Sequence, residues 1–271
     1  MSLVSSPFIF GRYVSGASVV HALDARCKLT LLLLFMVAGI VTTTPVGLVL
    51  CASFTLAAYA CARIPARVAT ASVAPLLIIV IFTALANLFF VQGGATLWSA
   101  GPLFITEHGA YQAVFMSARL IILLFGACLV TMTTTSLDIT DALERMLWPF
   151  ARFGLPAHEL AMIAGIALRF LPQFALEFQS TRAAHISRGA SFTKGSLRER
   201  AHAISALFVP LFTSAFRHAD TLASGMDARC YHGAVGRTHL HESAFHARDA
   251  VACTLTALLL AAVIVCRILG W

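Results

Sequence analysis

Long apolar stretches separated by short polar segments are the feature that most constrains this sequence. Five of them approach the roughly 20 residues that a helix needs to cross about 30 Å of hydrocarbon. Of the 271 residues, 59% are hydrophobic and only 11% are charged, a balance outside the range of soluble domains. Backbone polar groups in a bilayer are satisfied within helices, so the sequence predicts an all-α integral membrane protein. The predicted spans are residues 27–44, 45–62, 71–91, 112–132 and 250–269.

The distribution of the 19 basic residues predicts the orientation of the spans, because Lys and Arg in short loops stay on the cytoplasmic side. The turn at residues 42–45 and the loop at 92–111 contain none of them. We therefore expect a plasma-membrane protein with a cytoplasmic N-terminus and a last span that ends outside. The corresponding organisation is an N-terminal segment with four spans (1–132), a cytoplasmic region (133–249) and a C-terminal span (250–271).

The cytoplasmic region is too long for an idle loop and too apolar for a disordered linker. Its pattern predicts a short helix at about residues 136–150 and two longer helices, at about 157–188 and 196–229. Ser136 is expected to cap the first helix, because a hydroxyl oxygen can accept a hydrogen bond from an unpaired N–H group there. Gly189 is expected to end the second helix in a left-handed conformation.

The second and third of these helices share the pattern P-x-F-x-x-x-F, which begins at Pro172 and Pro210. Each helix leads to an arginine between small residues, in the triplets Ser187, Arg188, Gly189 and Ala228, Arg229, Cys230. A guanidinium at a helix C-terminus is favoured by the helix dipole and can form paired hydrogen bonds with a partner. The pattern predicts two arginine tips that contact a partner. The alternative is that each arginine caps its own helix or meets anionic lipid headgroups.

The tetrapeptide DARC occurs twice, at residues 24–27 and 227–230. We interpret the two copies as unrelated: Asp24 and Arg26 organise the entry of the chain into the membrane, whereas Arg229 forms a helix tip. The seven cysteines are scattered without a C-x-x-C pair, which favours packing roles over disulfides or a metal site. Arg119, inside the fourth span, either contacts the bundle interior or extends to the external interface.

Several fragments match the motifs of one known family. Residues 10–29 (FGRYVSGASVVHALDARCKL) are similar to an N-terminal signature H-x-L-D-P-R-x-K, and residues 129–143 to a T-x-T-x-x-x-D-L region. Residues 156–190 contain L-R-F-x-P and are similar to a stretch with a first A-R-[GS] motif, in which Ser187 replaces the usual Ala. Residues 217–231 are similar to R-A-x-x-L-x-x-A-M-x-x-R-G-Y, which carries the second motif. In this order the fragments resemble the transmembrane T component of energy-coupling factor transporters, which are ABC-type importers of vitamins and of cobalt or nickel.

The resemblance implies that the long cytoplasmic helices are coupling helices. Their tips, at Arg188 and Arg229, would dock into two ATPase subunits, and their membrane face would cradle a substrate-binding S component. The residues expected to pack the coupling helices against each other and against the S component are Phe170, Pro172, Phe174, Phe208, Pro210 and Phe212. Cys230 departs from the family's usual Gly or Ser, and cysteine accepts a positive φ less readily than glycine.

The implied function is a non-catalytic scaffold that converts ATPase movement into movement of the S component during uptake of a vitamin or transition-metal ion. Besides these subunits and membrane lipid, no cofactor, no resident metal and no nucleic-acid partner is expected. The sequence has no Walker-type glycine loop, so we expect ATP to bind the partner subunits. The resemblance also implies that the S component recognises the substrate, so this chain is not expected to determine which substrate is transported.

Two alternative functions stay open at this point. The first is a stand-alone channel, secondary transporter or membrane enzyme. Carboxylates inside the membrane would favour it, and the predicted spans contain none. A component dedicated to cobalt or nickel would give a role to the four histidines of one short polar segment, His232, His239, His241 and His246. Their spacing matches no tight metal site, which favours a solvated loop.

Overall fold

The computed structural model describes residues 13, 14, 16, 18–91, 93–100, 103–147, 156–190, 192, 196–233 and 246–270. The helices in these ranges are α1 (Ala25–Val41), α2 (Pro45–Ala62), α3 (Ala66–Val73), α4 (Leu77–Phe90), α5 (Glu107–Thr133), α6 (Ser136–Leu147), α7 (Ala157–Ser187), α8 (Leu197–Asp227) and α9 (Ala247–Leu269). The described residues fall into two compact units. One lies within Leu143–His241 and the other within Ile9–Ala142 and Glu242–Trp271.

Helices dominate both units, which confirms the predicted all-α membrane architecture. Within the described ranges, the segments long and apolar enough to cross a membrane are Pro45–Ala62, Ala66–Phe90, Glu107–Thr133, His158–Ser187 and Ala247–Leu269. Four of them correspond to predicted spans. The other predicted span is α1, whose 17 residues are about 25 Å long, slightly less than the hydrocarbon core. Because α7 also qualifies by length and composition, both five and six crossings remain compatible with the fold.

The turn between α1 and α2 has the predicted form. Helix α2 begins at Pro45, where the missing N–H of proline costs nothing, and the Thr44 side chain accepts a hydrogen bond from the Gly47 N–H. The span predicted at residues 71–91 differs from the prediction, because a 3₁₀ turn at Ala74–Leu76 separates α3 from α4. Pro75 lies in this turn, and proline cannot donate the hydrogen bond that would continue α3.

A two-stranded antiparallel hairpin lies in the connection between α4 and α5, where the sequence predicted only a loop. Strand β1 (Thr96–Ala100) pairs with β2 (Leu103–Thr106), with Ala100 opposite Leu103. The hairpin leads directly into α5, whose first turn is capped by the Thr106 hydroxyl through the Gly109 N–H at 3.2 Å.

Glycines allow α5 to pack closely against its neighbours. A Cβ atom added at Gly126 would lie 2.3 Å from the buried Phe35 ring of α1. A Cβ atom at Gly109 would lie 2.6 Å from the Val91 carbonyl oxygen at the end of α4. Small residues at such contacts let membrane helices gain dispersion energy without a hydrophobic driving force.

Helix α6 begins at Ser136 as predicted, but Ser136 is not its cap. The Thr135 hydroxyl accepts from the Asp138 N–H at 3.2 Å, and the Asp138 carboxylate accepts from the Thr135 N–H at 3.3 Å. This reciprocal arrangement is a capping box. The prediction was one residue too late, because consecutive hydroxyl residues offer several equivalent caps and only the backbone geometry selects among them.

Candidate functional site

The end of α7 has the backbone geometry of a Schellman motif. Gly189 has φ +85°, its N–H donates to the Ile186 carbonyl at 2.9 Å, and the Ala190 N–H donates to the His185 carbonyl at 3.0 Å. These two bonds satisfy carbonyls that lack partners at a helix end. Arg188 therefore occupies the last position before the left-handed residue.

The end of α8 repeats this geometry with a cysteine in place of the glycine. Cys230 has φ +55°, its N–H donates to the Asp227 carbonyl at 2.9 Å, and the Tyr231 N–H donates to the Met226 carbonyl at 3.1 Å. Arg229 is thus equivalent to Arg188. The departure of Cys230 from the family pattern does not change the fold of the tip, although it adds the steric cost of a left-handed non-glycine residue.

Both arginines extend from these ends into solvent. Among the residues that the structure describes, neither guanidinium has a hydrogen-bond or ion-pair partner, and both residues are exposed. The carbonyls at each helix end are bonded by backbone N–H groups instead. The alternative in which the guanidinium caps its own helix is therefore not the arrangement seen, and the two charges are available to a partner.

Helices α7 and α8 contact each other around His218. Its ring lies 5.9 Å from the Phe170 ring and 5.8 Å from the Phe174 ring, measured between centroids. Its Nε2 atom is 3.1 Å from the Gln173 amide nitrogen and 3.9 Å from a Glu177 carboxylate oxygen. One imidazole of α8 is thus held by two aromatic and two polar side chains of α7.

The two helices run antiparallel through this contact. Met162, near the start of α7, accepts a hydrogen bond from Tyr231, just beyond the end of α8, at 2.9 Å. A rise of 1.5 Å per residue puts Arg188 about 22 Å from the contact along α7 and Arg229 about 16 Å from it along α8. The two arginine tips consequently lie at opposite ends of the pair.

The six residues predicted to pack the coupling helices fall into three pairs. Phe170 and Phe174 are partly buried at the His218 contact, whereas Phe208 and Phe212 are 48% and 60% exposed on α8. Pro172 and Pro210 lie inside helices that continue through them. His218 and Gln173 were not predicted as contact residues, although the position of Gln173 between Phe170 and Phe174 was an available signal.

The first DARC copy lies where α1, α5 and α9 meet. The buried Asp249 carboxylate accepts from the Asp24 N–H and from the His246 N–H, both at 2.9 Å, while Asp24 caps α1 through the Arg26 N–H. The buried Lys28 ammonium donates to the Thr133 carbonyl at 2.9 Å. The motif and the adjacent Lys28 therefore join the beginnings of α1 and α9 to the end of α5.

Arg119, the cysteines and the histidine segment were also singled out from the sequence. Arg119 donates to the Thr42 carbonyl at the end of α1 and lies 5.0 Å from the Phe115 ring, so it contacts the bundle rather than a carboxylate. Cys27 and Cys253 are free thiols whose sulfur atoms approach to 3.4 Å, a pairing that the scattered sequence positions did not indicate. His239 and His241 lie outside the described residues, and the metal-binding alternative for that segment stays a prediction.

Comparison with known proteins agrees with this arrangement. A family model described as "CbiQ: Cobalt transport protein" matches residues 16–240. A protein of Thermosediminibacter oceani named "Energy-coupling factor transporter transmembrane protein EcfT" is 41% identical over 92% of this chain and 94% of its own length. Proteins of the same name from Brevibacillus brevis and Bacillus subtilis are 37% and 36% identical, over 96% and 89% of this chain and 96% and 91% of their own lengths. The chain therefore belongs to the CbiQ family and is an energy-coupling factor transporter transmembrane component.

Proposed function

We propose that this chain is the non-catalytic scaffold of an ATP-driven importer, in which α7 and α8 transmit ATPase movement to a substrate-binding membrane subunit. Arg188 and Arg229 are the contacts to two ATPase subunits. ATP binding and hydrolysis belong to those subunits, and substrate recognition belongs to the membrane subunit.

The observation that supports this proposal is the shared geometry of the two helix ends. Both arginines occupy the same position of the same capping motif, although one motif uses Gly189 and the other uses Cys230. A fixed backbone holds each guanidinium in a limited range of positions before a partner arrives, which lowers the entropic cost of binding. Tips at opposite ends of an antiparallel pair suit two separate partner subunits.

The contact at His218 supports a mechanical role for the same pair. A displacement applied to either tip acts on a helix of 31 residues, and the side chains around His218 couple that helix to the other one. The exposed apolar side chains of α8, including Phe208 and Phe212, provide a surface for the substrate-binding subunit. Movement of the ATPases would thus change the surface that this subunit contacts.

The proposed orientation has the N-terminus, α6 and the arginine tips in the cytoplasm. It follows from the basic residues, since the connections at 42–45 and 92–111 have no Lys or Arg. The antiparallel arrangement of α1 and α5 agrees with it, because Lys28 near the start of α1 bonds to Thr133 at the end of α5. Labelling of single cysteines introduced at Arg63 and Gly94 with an impermeant maleimide on intact cells tests it, with labelling expected only at position 94.

Removal of both arginines tests the proposed ATPase contacts. The variant Arg188→Ala/Arg229→Ala should lose co-purification with the ATPase subunits and should lose uptake, because truncation of an arginine at an interface hot spot costs about 2 kcal/mol or more. The matched control is Arg182→Ala/Arg217→Ala, which removes two exposed arginines from the same helices but not from their tips. Retention of the ATPases by the first variant, or equal loss in the control, would refute the assignment.

A transporter dedicated to cobalt or nickel is the second candidate, and the description of the matching family as cobalt transport proteins favours it. Uptake of Co²⁺ or Ni²⁺ by the complex purified from its own source and reconstituted into vesicles distinguishes this candidate from a vitamin importer. Metal transport that survives substitution of His232, His239, His241 and His246 together would assign the metal site to the partner subunit rather than to this chain.

A further inference from the structure

A cavity of about 450 Å³ lies in the unit that contains α1, α2, α5 and α9. Side chains of all four helices line it, and nearly all of them are apolar. Examples are Phe35 of α1, Phe54 of α2, Leu129 of α5 and Leu255 of α9. The functions proposed above use none of these residues, so the cavity is a separate feature of the fold.

The cavity extends along about one leaflet of a bilayer. Its lining runs from Lys28 to Phe35 on α1 and from Arg248 to Thr256 on α9. At 1.5 Å per residue these stretches are about 10 to 12 Å long, and half of the hydrocarbon core is about 15 Å. The exposed lining residues Ala57 and Val251 belong to α2 and α9, so the cavity opens between these helices toward the surrounding lipid.

The only charged residues that line the described cavity are two cations at one end, Lys28 and Arg248. Lys28 is 4% exposed, and its ammonium donates to the His21 and Thr133 carbonyls without an ion pair among the described residues. The neighbouring carboxylate of Asp249 accepts hydrogen bonds from backbone N–H groups instead. The cavity thus has an apolar body, with the buried Lys28 and the exposed Arg248 at one end. The carboxylates of Asp24, Asp138 and Asp249 interact electrostatically with Lys28, which leaves Arg248 as the accessible cation.

We propose that this cavity binds one acyl chain of an anionic phospholipid, with the headgroup at Arg248. An acyl chain gains little free energy when it moves from the bilayer into an apolar cavity. Selectivity therefore comes from the headgroup, since basic pockets between membrane helices attract anionic lipids.

Lipid retention by the full chain measures this binding. The protein is reconstituted into vesicles of equal phosphatidylglycerol and phosphatidylcholine with identical acyl chains, extracted into mild detergent, and examined by native mass spectrometry. We expect one retained phosphatidylglycerol per chain. The variant Arg248→Ala should lower the ratio of phosphatidylglycerol to phosphatidylcholine about fivefold, and Arg267→Ala, at the other end of α9, should leave it unchanged.

Blocking the cavity supplies the second arm of the test. Ala57→Phe should abolish retention, whereas Ala261→Phe, which adds the same ring at an exposed position of α9 outside the lining, should not. Val251→Phe blocks the same entrance from α9 if Ala57→Phe does not yield folded protein. The proposal is overturned if the wild-type chain retains both lipids equally or if both blocked variants still retain lipid. It is also overturned if blocking removes a co-purifying polypeptide instead of lipid. Co-purification of the ATPases is scored in parallel, because it should survive blocking and fail only in the arginine-tip variants.

Discussion

Replacing Cys230 with glycine should strengthen the tip of α8. A non-glycine residue in the left-handed region costs about 1 to 2 kcal/mol, and Cys230 has φ +55°. Glycine removes this cost but gives the unfolded segment more freedom, which offsets about 0.4 to 1 kcal/mol. The net expectation for Cys230→Gly is about 1 kcal/mol of added local stability, or roughly a fivefold change in the equilibrium for opening the tip.

Amide hydrogen exchange of the full chain measures this local equilibrium. The amides at positions 230 and 231 donate the two bonds of the motif, to Asp227 and Met226. Their exchange should slow about fivefold in Cys230→Gly, while exchange in the middle of α8 stays unchanged. A better-ordered tip should also hold Arg229 more firmly, so ATPase co-purification should be at least as strong as in the wild type.

Two further variants separate backbone conformation from the loss of a thiol. Cys230→Ala removes the sulfur but keeps a Cβ atom in the left-handed region, so its exchange should match the wild type. Gly189→Ala imposes the same conformational cost on the tip of α7 and should speed exchange at positions 189 and 190 about fivefold. Equal slowing of exchange by the alanine and glycine variants at position 230 would refute the role of the left-handed conformation.

Three other changes test the remaining contacts. His218→Ala should weaken the contact between α7 and α8 and reduce coupled uptake several-fold while the ATPases still bind, whereas His202→Ala on an exposed face of α8 should do neither. Asp249→Ala leaves two backbone N–H groups without a partner and should lower the free energy of unfolding by about 2 to 4 kcal/mol, seen as a lower melting temperature than in Asp227→Ala. Gly109→Ala should lower it by about 1 to 3 kcal/mol because the added Cβ meets the Val91 carbonyl, while Gly165→Ala, which meets no atom within 4 Å, should not. Unchanged uptake in His218→Ala would contradict the proposed coupling at His218. Equal melting temperatures of the Asp249 and Asp227 variants, or of the Gly109 and Gly165 variants, would contradict the contact at Asp249 or at Gly109.

Features that depend on neighbouring residues were predictable from the sequence. The helical membrane architecture follows from runs of apolar residues, and the start of α2 at Pro45 follows from the chemistry of proline. The left-handed residue at Gly189 was predicted because glycine after a helix is common and has a local steric reason. Local rules were less decisive at Ser136, where adjacent hydroxyl residues compete, and at Pro75, where one residue interrupts an apolar run.

Contacts between distant residues depended on tertiary structure. Lys28 and Thr133 are far apart in the sequence, and no local pattern indicates that their atoms meet at the junction of three helices. The same holds for the Cys27 and Cys253 thiols. The lipid-sized cavity likewise exists only once four helices pack together, because each contributes part of its wall.

The two arginine tips show which features the sequence determined and which required the tertiary structure. The sequence by itself determined that Arg188 and Arg229 follow long helices, because helix length, small neighbours and a terminal glycine or its substitute are local properties. Only the tertiary structure decided that the helices are antiparallel and meet at His218, so that the tips lie at opposite ends. The physical reason is that the direction in which two helices cross depends on which side chains interlock, a property of the pair that neither helix specifies alone.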